Sequence, residues 1–359
     1  MKVLLIIDNM GSGGAQRQIM TLAKALKADD FDVAIAWYYN SEFYLGEITQ
    51  LGIDHYRLYE SNYFARLKSF GKLFKSTRPD WVVAYLPGPS VLGCLLKPLG
   101  GYKLIVNERS AKPSAQKSIK SRLYRMAYLL ANYVCTNSFA NMDFISESVP
   151  FLPPTKKKVI YNSLDLDYWA DKTEVHGQDV FHMIVLSSHR RLKNLKGLIE
   201  AVNILNESFR QNLKISWYGD DSGDQSMQEG QKLIETYGLE EVFYFQPAVT
   251  DVKSVIASAT VIGLFSEYEG LPNAVCEGMA MSKPIIATKV SDLPGILDDQ
   301  KELLCDYQDA NTISKAIKNA MKMSQDKLQL IGAMNRKKAT EIFSSVNNYK
   351  TLKSLLRTA

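Results

Sequence analysis

Short apolar runs alternate with helix-period patterns along this chain, and the alternation occurs twice. In the first half the runs are Val3 to Ile7, Phe31 to Trp37, Trp81 to Tyr85, Leu104 to Val106, Tyr133 to Cys135 and Val159 to Tyr161. Between the first two, Ile19, Leu22, Ala23 and Leu26 recur at the i, i+3, i+4, i+7 spacing of one helix face. The second half repeats the scheme with Met183 to Leu186, Ile215 to Tyr218, Val242 to Phe245, Val261 to Phe265, Pro284 to Ala287 and Leu303 to Cys305. Leu198, Val202, Leu205 and Phe209 line one face of the helix after its first strand. Apolar strands that alternate with helices predict mainly parallel sheets covered on both faces. The expected class is therefore α/β, with two doubly wound, Rossmann-like domains facing each other across a cleft.

With 359 residues, 46% of them hydrophobic and 23% charged, the chain can fill two cores of ordinary domain size. The pattern breaks from Pro150 to Gly177, where prolines and the Lys156-Lys157-Lys158 run intervene. This places a first domain at 1–163, a second at 164–345 and a closing helix at 346–359. The apolar start ends at Asp8, too short for a signal-peptide core, and no window approaches the roughly 20 apolar residues of a membrane span. A cytoplasmic protein is expected. Cys94, Cys135, Cys276 and Cys305 lie far apart and read as reduced core residues rather than metal ligands.

The net charge of +5 is modest but unevenly placed. No acid occurs from Ser61 to Pro79, where Arg66, Lys68, Lys72, Lys75 and Arg78 interleave with Phe64, Leu67, Phe70, Leu73 and Phe74. None occurs from Arg109 to Met142, where Lys112, Lys117, Lys120, Arg122 and Arg125 accompany Ile119, Leu123, Met126 and Leu130. Basic amphipathic helices suit an anionic membrane surface, and the plainer alternative is a solvated face whose apolar stripe packs on a sheet. No nucleic-acid motif accompanies these residues, so a nucleic-acid partner is not expected.

Four loops carry the candidate chemistry. Ser266-Glu267-Tyr268-Glu269-Gly270-Leu271-Pro272 follows an apolar strand and leads into a helix starting near Asn273. Strand ends of this kind bind ligands in open α/β sheets, and a helix N-terminus favours an anion. Glu269 and Glu277 flank the turn and can grip hydroxyls of a ligand whose anionic part rests there. Asp8-Asn9-Met10-Gly11-Ser12-Gly13-Gly14-Ala15-Gln16 opens the first helix, but Gln16 stands where a dinucleotide fingerprint requires its third glycine. Ser187-Ser188-His189-Arg190-Arg191-Leu192-Lys193-Asn194-Leu195-Lys196-Gly197 follows the first strand of the second half. Loop cations there can hold an anionic ligand, Arg offering a planar fork and Lys a point charge. Asp220-Asp221-Ser222-Gly223-Asp224 reads as a solvated acidic turn rather than a metal site.

The Glu269-Gly270-Leu271-Pro272-Asn273 stretch, with Glu277 eight positions after Glu269, resembles the E-x7-E signature of retaining family 4 glycosyltransferases. The likeness covers nearly the whole chain and implies the GT-B fold, with the last helix crossing back onto the first domain. It implies that Glu269 touches the donor sugar and Glu277 the ribose. It also implies that Arg191 and Lys196, with Arg190 as a substitute, hold the nucleotide diphosphate. Gly13 and Gly14 would lie over the donor phosphates, and Gly270, Leu271, Pro272, Asn273 and Ala274 would complete the cradle.

Tyr161-Asn162-Ser163-Leu164-Asp165 is similar to the family's Asn-Gly-Val-Asp segment and is taken as architectural. The family often has a histidine where this chain has Asn107-Glu108-Arg109-Ser110; His55, His176, His182 and His189 fall elsewhere. Glu108 and Arg109 are thus expected in the cleft near the acceptor, and His189 as a satisfied structural residue.

Catalytic roles fall to Glu269, Lys196 and Arg191, with no cofactor and no metal. The implied substrates are a nucleotide diphosphate sugar, UDP-sugars favoured, and a glycan acceptor such as a lipid-linked or surface-polysaccharide intermediate. A glycoside hydrolase, an epimerase of the same fold and a non-catalytic nucleotide-sugar sensor are the rival readings.

Overall fold

A computed structural model describes residues 1–60, 62–109, 118–170 and 180–358. The chain forms two compact units, Met1–Ser163 with Ser345–Ala359, and Leu164–Ser344.

In the first unit the strands are β1 (Lys2–Ile6), β2 (Asp32–Trp37), β3 (Asp54–Arg57), β4 (Trp81–Tyr85), β5 (Lys103–Glu108), β6 (Tyr133–Thr136) and β7 (Lys157–Val159). The helices are α1 (Gly14–Ala28), α2 (Leu45–Gln50), α3 (Tyr63–Thr77), α4 (Pro87–Gly100), α5 (Ile119–Arg125) and α6 (Phe139–Ser148). Among the described residues the sheet order is β3-β2-β1-β4-β5-β6-β7, all parallel, with Leu4 opposite Ala34 on one side and Val82 on the other. Successive strand residues point to opposite faces, so Val3 and Leu5 join Ile19, Ala23 and Trp37 in one core. Leu4 and Ile6 join Phe70, Leu92 and Val134 in the other. Both faces are covered, hence the uninterrupted apolar runs.

The second unit contains β8 (Phe181–Leu186), β9 (Leu213–Tyr218), β10 (Phe243–Gln246), β11 (Val261–Leu264), β12 (Ile285–Thr288) and β13 (Leu304–Cys305). Its helices are α7 (Leu195–Ile204), α8 (Glu207–Gln211), α9 (Ser226–Tyr237), α10 (Val252–Ala257), α11 (Asn273–Ala280), α12 (Leu293–Ile296), α13 (Ala310–Met321) and α14 (Gln325–Ile342). The order is β10-β9-β8-β11-β12-β13, again parallel. Gly219 sits where β9 ends beside β8, and a Cβ there would come within 2.0 Å of the Ser187 carbonyl oxygen. Only glycine lets the two loops approach this closely.

Helix α15 (Ser345–Arg357) packs on the first unit. Its Leu352, Leu355 and Leu356 enter the core containing Val3 and Trp37. Trp81 donates its indole N–H to the Leu356 carbonyl at 2.9 Å, and Tyr349 donates to Asp29 at 2.6 Å.

Two elements depart from the periodicity. β3 has the polar sequence Asp-His-Tyr-Arg and was not expected as a strand; it forms a sheet edge, where one face and one backbone row need no burial. The strand expected at Val159 to Tyr161 instead spans Lys157–Val159, also at an edge, so β7 lies inside the segment expected to be a joint. The later part of that segment, 171–177, lies outside the described residues.

Candidate active site

Strand order reverses between β1 and β4 in one sheet and between β8 and β11 in the other. In open α/β sheets ligands bind outside the carboxyl ends of the strands at such a switch. Three of the four candidate loops leave strands at these points, after β1, β8 and β11, while the acidic turn at 220–224 follows β9.

In the second unit, the loop after β8 and the loop after β11 meet. Glu267 donates its main-chain N–H to the Leu192 carbonyl at 2.8 Å. The Lys193 ammonium lies 2.5 Å from Glu269 Oε1, and both side chains are largely covered. Ser266 donates its hydroxyl to the same oxygen at 2.7 Å, and its own carbonyl accepts from Thr288 at 2.7 Å. Asn194 adopts the left-handed conformation, with φ 60, and its side chain accepts from the Gly197 N–H at 3.2 Å. That turn separates Lys193 from α7 and aims it at Glu269. Lys193 lay within the loop singled out by sequence but was given no role, because its pairing with a residue 76 positions away is made only by the fold.

The turn Gly270-Leu271-Pro272 is buried, and the Ser291 hydroxyl donates to the Gly270 carbonyl. Pro272 precedes α11, which has no side-chain cap; the amides of Val275 and Cys276 turn back to the Pro272 carbonyl at 3.2 Å each. Asn273 and Ala274 form the first turn. Glu277, one turn on, is buried at 1% exposure.

The two cations assigned to the diphosphate are placed differently from Lys193. Arg191 is 61% exposed and pairs with Glu229 at 2.5 Å, while its main-chain N–H donates to Asp224 at 2.8 Å. Lys196 is 72% exposed and lies 3.6 Å from Glu200 one helical turn later. Arg190 is exposed. In the acidic turn, Asp221 accepts from the Gly223 amide at 3.0 Å and the Gln228 side chain at 2.7 Å. Ser226, whose amide donates to Asp224 at 3.1 Å, followed by the Arg191 amide, lowers the Asp224 pKa to about 2. These carboxylates serve the loop's own backbone.

His189 differs from the expectation of a satisfied residue. It is buried, stacked on Trp217 at 5.4 Å and edge-on to Phe245 at 5.0 Å, yet neither ring nitrogen has a hydrogen-bond partner. His182 is satisfied: Nδ1 donates to the Ser258 carbonyl at 3.2 Å, so Nε2 accepts from Ser216 at 2.9 Å. Burial lowers both pKa values, against the pull of Asp221 and Asp220 at His189 and of the Ser258 carbonyl at His182. A histidine with a depressed folded pKa binds more protons when unfolded, so its penalty grows as pH falls through about 6.5. Unfolding free energy should therefore decline more steeply from about pH 7.5 to about pH 5.5 in the parent than in a His182→Gln/His189→Phe double variant. Equal slopes in urea titrations across that range would show that neither imidazole titrates abnormally.

In the first unit, the glycine loop leaves β1 at a half-buried Asp8, whose pKa is raised by desolvation despite the Asn9 amide. Asn9 Oδ1 accepts from the Gly11 amide at 2.9 Å and from Gln16 at 3.0 Å, so the residue that breaks the dinucleotide pattern closes the loop. Gly13 and Gly14 stand exposed at the start of α1, which has no side-chain cap. Arg109, at the carboxyl end of β5, donates to Asn162 at 2.9 Å and lies 4.8 Å over the Tyr85 ring. Asn162 also accepts from Asn137 at 3.3 Å, and Asn137 from Asn141 at 2.6 Å. The architectural Asn162 thus fixes the arginine.

Three charged residues contradict the sequence reading. Glu108, expected beside Arg109 in the cleft, has 0% exposure; it accepts from Arg125 at 2.9 Å and from Tyr128 at 3.1 Å. Adjacent strand residues face opposite ways, so Arg109 and Glu108 cannot share one surface. Arg125, counted among the surface cations, is the buried partner of that carboxylate. Arg66 is also buried, 3.7 Å over the Tyr38 ring. Phe70, Leu73 and Phe74 pack inward, leaving Phe64, Lys68, Lys72, Lys75 and Arg78 exposed around α3, and Ile119, Lys120, Arg122 and Leu123 exposed on α5. Ser110, Lys112, Lys117 and His176 lie outside the described residues.

The sequence matches the family described as Glycosyltransferase Family 4 over residues 12–168, and that described as Glycosyl transferases group 1 over 181–323. Two relatives come from Campylobacter jejuni. One is a GalNAc-alpha-(1->4)-GalNAc-alpha-(1->3)-diNAcBac-PP-undecaprenol alpha-1,4-N-acetyl-D-galactosaminyltransferase, 24% identical, covering 78% of this chain and 77% of the relative. The other is an N-acetylgalactosamine-N,N'-diacetylbacillosaminyl-diphospho-undecaprenol 4-alpha-N-acetylgalactosaminyltransferase, 23% identical over 96% of each chain. Among solved structures, Anabaena Alr3699/HepE in complex with UDP and glucose matches with a TM-score of 0.86 at 17% identity over 100% of both chains.

Proposed function

The chain is a glycosyltransferase of the family 4 type with two Rossmann-like units of the GT-B fold, and from this premise we propose that it moves a hexose from a nucleotide diphosphate sugar to a glycan hydroxyl with retention of configuration. UDP-sugars are the favoured donors, and a lipid-linked or surface-polysaccharide intermediate the favoured acceptor. The observation that carries this reading is the Lys193–Glu269 pair at the switch point of the second sheet, beside the start of α11. A braced carboxylate next to loop cations suits a ligand that is hydroxylated at one end and anionic at the other.

In this reading Glu269 accepts hydrogen bonds from sugar hydroxyls, and Lys193 holds it in place. Arg191 and Lys196, with Arg190 in reserve, neutralise the diphosphate from the exposed loop. Gly270, Leu271, Pro272, Asn273 and Ala274 form the turn on which phosphate rests, Glu277 reaches the ribose, and Gly13 and Gly14 approach the donor phosphates. The bond from the anomeric carbon to phosphate oxygen breaks with its electron pair going to the diphosphate. The acceptor oxygen bonds to that carbon on the same face, and its proton passes to the departing diphosphate oxygen. No protein general base is demanded. The loop cations stabilise charge as it develops, an effect of about 10²–10³ in rate for one such group. Arg109, held by Asn162, orients the acceptor.

The printed names of the Campylobacter relatives speak of undecaprenol-linked substrates, which favours a lipid-linked acceptor here. The exposed cations of α3 and α5 suit an anionic membrane surface, each contributing about 1 kcal/mol near it. Among the described residues no helix is long and apolar enough to cross a membrane.

A nucleotide-sugar panel scored by thermal shift tests the donor assignment, since a ligand at about 100 times its Kd stabilises the folded state by about 2.7 kcal/mol. One UDP-sugar should raise Tm beyond UDP alone, and Glu269→Gln should erase that excess while keeping the UDP shift. A variant that still distinguishes the two would remove Glu269 from the sugar.

A further inference from the structure

We propose that the amino edge of the first sheet carries a binding furrow for a single anionic lipid, its acyl chain between α3 and α4 and its phosphate among Lys75, Arg78, Lys103 and Arg357. The furrow lies at the start of β1, β4 and β5, whereas the glycine loop leaves the opposite, carboxyl edge. It consists of two cavities, of about 850 Å³ and about 370 Å³, that share Phe74, Lys75 and Gly100.

The smaller cavity is apolar. Leu67, Gly71, Phe74, Leu96 and Leu99 form its walls with Lys68, Lys72 and Lys75 along the same lining, and Leu99 is 76% exposed. Gly71 is the informative residue. It stands in the middle of the 15-residue helix α3, where glycine is worse than alanine by about 0.5–1 kcal/mol. Nothing in the fold demands it: its φ is not positive, and a Cβ would meet only Leu96 Cδ2, at the ordinary distance of 3.7 Å. Its effect is to keep the trough open.

The larger cavity is cationic. Lys75, Arg78, Lys103 and Arg357 line it, and the one acid among its described lining residues, Asp80, already accepts the Lys2 amide at 2.7 Å. Helices α3, α4 and α15 end here, each bringing about half a negative charge. With Asp80 they offset part of four positive charges and leave a surplus that suits one phosphate. Trp81 forms the floor, tied to α15 through Leu356. A contiguous apolar trough and cationic bowl fit a molecule with a tail at one end and a phosphoryl group at the other. Chain insertion separates this site from flat adhesion by exposed lysines, and its failure would leave the transferase assignment untouched.

Calorimetry with dihexanoyl phosphatidic acid, kept below its micelle concentration, tests the furrow on the full chain. Saturable one-to-one binding is expected, with dihexanoyl phosphatidylcholine and inorganic phosphate each at least tenfold weaker. Gly71→Leu should fill the trough, melt no lower than the parent and bind at least tenfold more weakly. Lys75→Gln/Arg357→Gln should lose the same affinity from the other end, and both variants should keep the parent's nucleotide-sugar thermal shift. The furrow is overturned if phosphate alone binds as tightly, if phosphatidylcholine does, if Gly71→Leu binds as well as the parent, or if only anionic vesicles and never the monomeric lipid are bound.

Discussion

Lys196→Ala is expected to lower kcat by about 10²–10³ while leaving Tm within a degree or two of the parent. The rate loss follows from removing a fixed cation at the point where the diphosphate leaves. The intact fold follows from its surroundings: Lys196 is 72% exposed and its ion pair with Glu200 at 3.6 Å is a surface pair along a helix, worth about 0.3–0.5 kcal/mol. Single-turnover kinetics with the donor identified by thermal shift would separate chemistry from binding. A kcat within a few-fold of the parent would take Lys196 out of the diphosphate role and leave it to Arg191 alone or to Lys193. Lys193→Met distinguishes these two, because it also frees Glu269 and should raise KM for the sugar.

Arg125→Met is expected to destabilise the first unit by about 3–5 kcal/mol, the largest stability effect anticipated from one substitution here. Arg125 and Glu108 have side-chain exposures of 6% and 0%, with Nε and Oε2 2.9 Å apart. Removing the guanidinium strands a carboxylate in an apolar setting beside Phe144 and Tyr128. Burial already raises the Glu108 pKa, and Arg125 opposes it. Adding Glu108→Gln to Arg125→Met should recover most of the loss, since a neutral amide needs no counter-charge. Urea midpoints for the two single variants and the double variant measure the coupling. A cost near 1 kcal/mol for Arg125→Met would mean that Glu108 is protonated and the pair is an ordinary hydrogen bond. Glu108→Gln alone should leave turnover unchanged, as the carboxylate reaches no surface.

Much of the fold was legible because buried parallel strands announce themselves. Val3 to Ile7 and Val261 to Phe265 are continuous apolar runs, and covering a sheet on both faces requires such runs. At the edges of the first sheet β3 was not legible, and β7 was read two residues late, for the converse reason. Asp54–Arg57 needs little burial, so its residues carry no apolar signature, and Lys157–Val159 lies in a stretch whose prolines and lysines read as a linker. Charge was the weakest guide to exposure. Arg66 and Arg125 look like surface cations in a basic helix, but each is held by a residue elsewhere in the chain: Arg66 stacks on the Tyr38 ring, and Arg125 is neutralised by a carboxylate 17 residues earlier.

The amino-acid sequence alone determined that two apolar-strand, amphipathic-helix repeats would fold as parallel α/β sheets, and that glycine-rich and proline-bearing loops would follow their strands. These are local consequences of periodicity and backbone freedom. Only the tertiary structure decided which charges would meet. Strand order, which places β8 beside β11, sets Lys193 against Glu269, while the inward face of β5 claims Glu108 for Arg125. Pairing of this kind depends on through-space distance and burial, and neither is encoded in the spacing of residues along a chain.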